Sequence, residues 1–169
     1  MQAITHFTVG IIIQILLYEI LFPLGFILTI IASFFSHFLV DALAKMTYHP
    51  SEPKTEDKFW IGYHATIIPA AAIVLIWFWN PFWLAMLCAT LVDIWDWGVL
   101  RGIYYLKKDP DWFHPKKYSI HPLIDKFRSK VFYWLPNWNE KKYGVIPEII
   151  LNGILLYFII MSVYIWRFL

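Results

Sequence analysis

The chain has 169 residues, of which 60% are hydrophobic and 20% aromatic, while only 15% are charged. A soluble domain carries about a quarter charged residues, so this composition excludes an ordinary soluble fold and points to an integral membrane protein. The formal net charge is only +2, and the single cysteine, Cys88, excludes an internal disulfide and cannot by itself form a thiolate metal site.

Five apolar segments follow one another, each near the roughly 20 residues that a helix needs to cross a bilayer. The first covers about 6–22 and is closed by Pro23. It is short and carries Gln14 and Glu19, which reads as a tilted span or as half of a tight hairpin with the second. It has no basic n-region and no small-residue cleavage site, so a cleaved signal peptide is not expected. The second segment covers 24–46. The third, 59–79, is closed by Asn80-Pro81, and the fourth covers 82–106. The fifth covers 145–168. The expected fold is all-α: a polytopic transmembrane bundle of about five spans, forming one integral membrane domain over residues 1–169, with an amphipathic loop over 107–143.

Lysine and arginine set the expected orientation. Lys45–Lys58 carries three basic and three acidic residues, and Lys107–Lys142 carries nine basic residues against four acidic ones. Five spans put both stretches on one side, and the positive-inside rule makes that side, with the N-terminus, cytoplasmic. Arg167 opposes this weakly. A prokaryotic cytoplasmic membrane is the expected location. The long loop also holds Trp112, Phe113, Phe127, Phe132, Tyr133, Trp134 and Trp138. Within it, Pro122–Leu135 can align Leu123, Phe127 and Val131 on one helical stripe, with Lys126, Arg128 and Lys130 elsewhere. That pattern suits an amphipathic helix on an anionic membrane surface. A folded cytoplasmic cap is the alternative.

Six ionisable residues fall inside the apolar segments: His6, His37, Asp41, His64, Asp93 and Asp96. A charge at the bilayer centre costs about 2.5 kcal/mol or more. At about 1.5 Å of rise per residue, all six reach the cytoplasmic half of the bilayer, on four different spans. His37 and Asp41 are four apart, and Asp93 and Asp96 three apart, so each pair shares a helix face. Imidazoles and carboxylates at such spacings are how helical bundles build metal sites. Nitrogen and oxygen donors without thiolate suit zinc first, with manganese or iron as alternatives. The bland readings are an intrahelical His37–Asp41 pair, an interfacial His6, and ion pairs of Asp93 and Asp96 with Arg101 and a loop lysine. Glu148 and Asn152 are placed as supporting groups at the start of the fifth span. His49 and His114 are expected in solvated loops. His121 and Asp125, again four apart, either stay at the membrane surface or fold back over the site.

Three short patches carry a resemblance. Met1–Gly10 with its Thr5-His6, Ser36-His37-Phe-Leu-Val-Asp41, and Asp93-Ile-Trp-Asp96 together resemble the membrane-bound metal-dependent hydrolase-like family of bacteria and archaea. The acidic pair here is Asp-x-x-Asp and follows the Ser-His segment, and Gly62-Tyr63-His64 stands where that family has a longer His-Arg-Gly segment. The resemblance implies metal ligation by His6, His37, Asp41 and one or both of Asp93 and Asp96. Separately, Asp93–Arg101 is similar to the first half of the CDP-alcohol phosphotransferase signature, whose second aspartate pair would have to be Asp109 and Asp111, beside Pro110.

Two functions follow as expectations. The first is a membrane-embedded hydrolase holding a divalent metal on His6, His37, Asp41 and Asp93. Asp96 would ligate or act as general base, His64 would act as acid/base or ligand, and Arg101 would bind a phosphate. Its substrate is lipidic or membrane-adjacent, with a phosphoester in view. The second is a transporter component or complex subunit using the same layer as a proton or cation relay. Membrane lipids are the expected partners, with a homo-oligomer or larger complex left open. Nucleic acid is not expected, because an anionic leaflet accounts for the loop lysines.

Overall fold

A computed structural model of the chain describes residues 2–18, 23–50, 53–109 and 117–166. Glu19, Pro110, Asp111, Trp112, Phe113, His114 and Arg167 lie outside the described residues. The described residues are helical, with no strand among them. The helices are α1 (Ala3–Tyr18), α2 (Leu24–Leu43), α3 (Lys58–Asp93), a π-helical stretch (Ile94–Leu100) leading into α4 (Arg101–Leu106), α5 (His121–Val131) and α6 (Val145–Trp166). Three apolar stretches are long enough to cross a membrane: Leu24–Met46, Lys58–Leu106 and Lys142–Ile165. The apolar helix over Ala3–Leu17 is shorter. The surface is inverted relative to a soluble protein. Ile76 and Trp77 are 77% and 78% exposed, while His6, His37, Asp96 and Glu148 are buried. That distribution fits an apolar surrounding.

Separate helices are expected over 59–79 and 82–106, yet one helical run continues through both Pro69 and Pro81. It does not run straight. Trp60 and Arg101 would be about 60 Å apart on a straight helix, yet both line one cavity. The run therefore doubles back into two limbs, and Asn80-Pro81 lies midway between those residues. A proline that cannot donate to the preceding turn is the usual cause of such a bend. The Pro81 carbonyl accepts a 2.8 Å bond from Gln14 Nε2 of α1.

Helix α1 packs between the limbs. Ile4, Phe7 and Ile11 meet Val74 and Phe78 from one limb, Phe82 and Met86 from the other, and Ile159 of α6. Gly10 permits this closeness, since a Cβ there would lie 2.7 Å from the Ala85 carbonyl oxygen and 3.1 Å from Ala89 Cβ. One turn back from Gly10 is His6, and one turn on from Ala89 is Asp93. The glycine contact thus brings those two side chains together. Helix α2 buries Gly25, Thr29, Ser33, His37 and Asp41 at every fourth position, a small-residue stripe that allows close helix approach and ends in the ionisable pair.

Glu148 and Asn152 of α6 close the other side of α1. Glu148 Oε1 accepts from Gln2 N at 2.8 Å and Thr5 Oγ1 at 2.9 Å, and Oε2 accepts from the Tyr63 hydroxyl at 2.9 Å. Asn152 accepts from Thr8 Oγ1 and donates to Thr5 Oγ1. Helix α5 covers the end of α2: Arg128 Nη2 donates to the Asp41 carbonyl at 2.5 Å, and Lys45 Nζ donates to the Tyr133 carbonyl. It is shorter than the expected Pro122–Leu135. Ile124 is buried beneath it, while Leu123, Phe127 and Val131 form an exposed apolar stripe. The helix thus packs on the bundle through Ile124 and leaves an apolar stripe exposed on its other side.

Candidate metal centre

Helix α2 presents His37 and Asp41 on one face, with Nε2 and Oδ2 3.2 Å apart. The far side of the His37 ring decides its tautomer. Nδ1 lies 2.8 Å from the Ala89 carbonyl oxygen, which can only accept, so Nδ1 carries the hydrogen. A neutral His37 then turns a bare lone pair on Nε2 toward Asp41 and toward Asp93 Oδ1, 3.8 Å away. Nε2 has no hydrogen-bond partner although the ring is fully buried. A lone pair facing carboxylate oxygens is repulsive unless a cation, metal or proton, sits between them.

His121 repeats the arrangement from the opposite side. It opens α5, and Asp96 anchors it there. Asp96 Oδ2 accepts from His121 Nδ1 at 2.6 Å, from the His121 backbone N–H at 2.8 Å and from Ser119 Oγ at 2.6 Å, and both Asp96 oxygens accept from Ile120 N. The carboxylate neutralises the positive end of α5 and directs His121 Nε2 to within 3.2 Å of Asp41 Oδ2 and 3.3 Å of Asp93 Oδ1. Burial alone would lower the His121 pKa. Its bonds to Asp41, Asp93 and Asp96 outweigh burial and raise it to about 10.

One donor atom each from His37, Asp41, Asp93 and His121 falls within 4.8 Å of the others. Ligands about 2.0–2.2 Å from a tetrahedral ion lie roughly 3.3–3.5 Å from one another, so little movement is needed to close this set on a metal. Two imidazoles with two carboxylates suit zinc, manganese or iron. The carboxylate behind His121 and the carbonyl behind His37 are the outer partners that metal-binding histidines require. His6 faces the remaining oxygens, with Nε2 3.1 Å from Asp41 Oδ1 and 3.9 Å from Asp93 Oδ2. Its ring stacks on His37 at 4.2 Å.

A cavity of about 590 Å³ opens onto this cluster. Arg101, Arg128, His49, His64, Trp60 and Trp97 form much of its wall. The Arg101 guanidinium lies 4.1 Å over the Trp97 ring. His64 stacks on Trp60, and its Nδ1 donates to the Trp60 carbonyl at 2.8 Å. Arg128 pairs with Asp125 at 3.2 Å.

Of the residues singled out from sequence, His6, His37, Asp41 and Asp93 come together in the cluster. His64 and Arg101 line the cavity wall. Asp96 stands behind His121, occupied by four donor groups from Ser119, Ile120 and His121. His121, which from sequence either stays at the membrane surface or folds back over the site, is in the cluster. The pattern His121-Pro-Leu-Ile-Asp125 flagged it, but it pairs with Asp96 across the loop, while Asp125 turns to Arg128. His49, expected in a solvated loop, is exposed and lines the cavity. Comparison with protein-family models, with curated proteins and with solved structures finds no match.

Proposed function

We propose that this protein is a five-span membrane enzyme, a metal-dependent hydrolase acting on a lipidic phosphoester at the cytoplasmic leaflet. The observation that carries the reading is the pair of imidazole Nε2 atoms, on His37 and His121, converging on Asp41 and Asp93 at the floor of an arginine-flanked cavity. Spans are assigned to α1, α2, the two limbs and α6. The cavity end of the bundle carries Lys45, Lys54, Arg101, Arg128 and Lys142, which supports placing it in the cytoplasm.

His37, Asp41, Asp93 and His121 would hold the metal, with His6 as a further donor on the opposite oxygens. A divalent ion there supplies Lewis-acid polarisation of a phosphoryl oxygen and acidifies water. Asp96 and the Ala89 carbonyl hold the two imidazoles with their Nε2 atoms inward. Arg101 and Arg128 supply forked donors for phosphate oxygens. His64, on the wall, would exchange a proton with a leaving group in the cavity.

The relay reading draws on Thr29 and Ser33, buried on α2 beyond His37. The Thr29 hydroxyl is already bonded to the Gly25 carbonyl, which weakens that path. Elemental analysis of detergent-purified protein, beside a His37→Ala/Asp93→Ala double variant, tests the proposal. Near-stoichiometric zinc, manganese or iron that disappears in the variant, with metal-dependent phosphate release from lipid phosphoesters, is the expected result. Protein purified without chelator and lacking metal would overturn it in favour of the relay.

A further inference from the structure

A second hollow, of about 360 Å³, meets the metal-centre cavity at two residues, Ala3 and Asp93, which line both. Its walls differ sharply in chemistry from the first. Phe7 comes from α1, Leu75 and Trp79 from the first limb of α3, and Met86 and Leu87 from the second. The one hydroxyl there, Thr90 Oγ1, donates to the Met86 carbonyl at 2.8 Å, and the lining is almost wholly apolar up to Asp93. Trp79, Leu87 and Ile94 are exposed on the apolar flank of the bundle, so the groove opens sideways, toward lipid.

Resting on the hydrolase reading above, we propose that this groove seats a single hydrocarbon chain of the substrate lipid, with the polar end of that lipid in the arginine-flanked cavity. Three features select that occupant. The groove is continuous with the reaction site through Asp93. Its volume matches on the order of ten methylene-sized groups, each near the ~30 Å³ share of a water. Its depth from Asp93 to Met86 is about 10 Å along the helix, so the chain points toward the middle of the bilayer. A phosphate held by Arg101 and Arg128 and a chain lying along Met86 and Leu87 would straddle Asp93, placing the bond between headgroup and chain next to the metal ligands. A freely soluble phosphoester would leave the groove empty.

Photolabelling tests this on the full, metal-loaded protein in mixed micelles. The probe is a non-hydrolysable phosphonate analogue of lysophosphatidic acid carrying a diazirine near the end of its chain, set beside a monoacylglycerol with the same chain and no phosphate. Leu87→Trp fills the groove. Ile76→Trp, on the lipid-facing surface of the same helix, is the control. The expected result is labelling concentrated on Leu75, Trp79, Met86 and Leu87, stronger for the phosphonate probe. It should fall about tenfold in Leu87→Trp and persist in Ile76→Trp, with metal content equal in all three proteins. Labelling spread over the lipid-facing residues, or equal for both probes, or unaffected by Leu87→Trp, would overturn the inference while leaving a metal-loaded site intact. Absence of metal from the wild type is read separately and overturns the hydrolase reading.

Discussion

Replacing Asp96 by Asn separates holding a ligand from being one. The Asp96 carboxylate accepts from Ser119, from two backbone N–H groups and from His121 Nδ1. An amide keeps one accepting oxygen and turns an NH₂ group on donors that need an acceptor. His121 then loses the partner that fixes its tautomer, and α5 loses the anion at its positive end. Removing such outer partners weakens metal binding by about 10–100-fold, which is roughly 1.4–2.7 kcal/mol. The lost helix-terminus interaction removes up to about 1–2 kcal/mol of stability besides. The assay is competition for zinc between detergent-purified protein and a chelating fluorophore. Asp41→Asn, which strips a ligand that touches three imidazoles, is the comparison, with far-UV circular dichroism as the check on folding. Asp96→Asn should weaken zinc binding by the stated range and Asp41→Asn by more. Affinity in Asp96→Asn indistinguishable from wild type would refute the positioning argument. A loss equal to that of Asp41→Asn would instead make Asp96 a ligand.

Three further outcomes are expected. His121 must give up its proton before Nε2 can bind metal, and its carboxylate neighbours raise its metal-free pKa to about 10. The deprotonated share therefore grows as pH rises, and zinc affinity should rise about tenfold per pH unit from pH 6 to 8, with roughly one proton released per ion in calorimetry across buffers of different ionisation enthalpy. Glu148→Ala leaves the Gln2, Thr5 and Tyr63 donors without their acceptor, so thermal unfolding in detergent should show a loss of roughly 3 kcal/mol or more. Tyr63→Phe should cost only a fraction of that. Gly10→Ala forces a Cβ against the Ala85 carbonyl and should destabilise by about 1–3 kcal/mol. Because α1 must shift, it should also weaken metal binding, which a merely local strain would not do.

The clustering of His6, His37, Asp41 and Asp93 was legible because it needs only two regularities. The helical rise sets depth, and spacings of three or four set a common face. The every-fourth stripe from Gly25 to Asp41 is written in the sequence in the same way. The continuous helical run through Asn80-Pro81 was not. Proline and asparagine read as a stop, and only packing of the two limbs around α1 shows that the chain can bend there while staying helical. The sequence leaves the place of His121 open for a related reason. It lies in a charged loop without membrane periodicity, and what brings it to the site is Asp96, reached across 25 residues of sequence separation.

By itself, then, the sequence determined an all-helical, apolar chain and the helix faces that its ionisable groups share, since both depend on local periodicity. Tertiary structure decided which of those groups face one another. Gly10 lets α1 touch the second limb closely enough to join His6 to Asp93. The carboxylate of Asp96 turns a surface histidine inward, and the fold of α5 makes a cavity of what would otherwise be an open helix end. Those are relations between distant segments, set by close packing and by hydrogen bonds that must be satisfied once water is excluded.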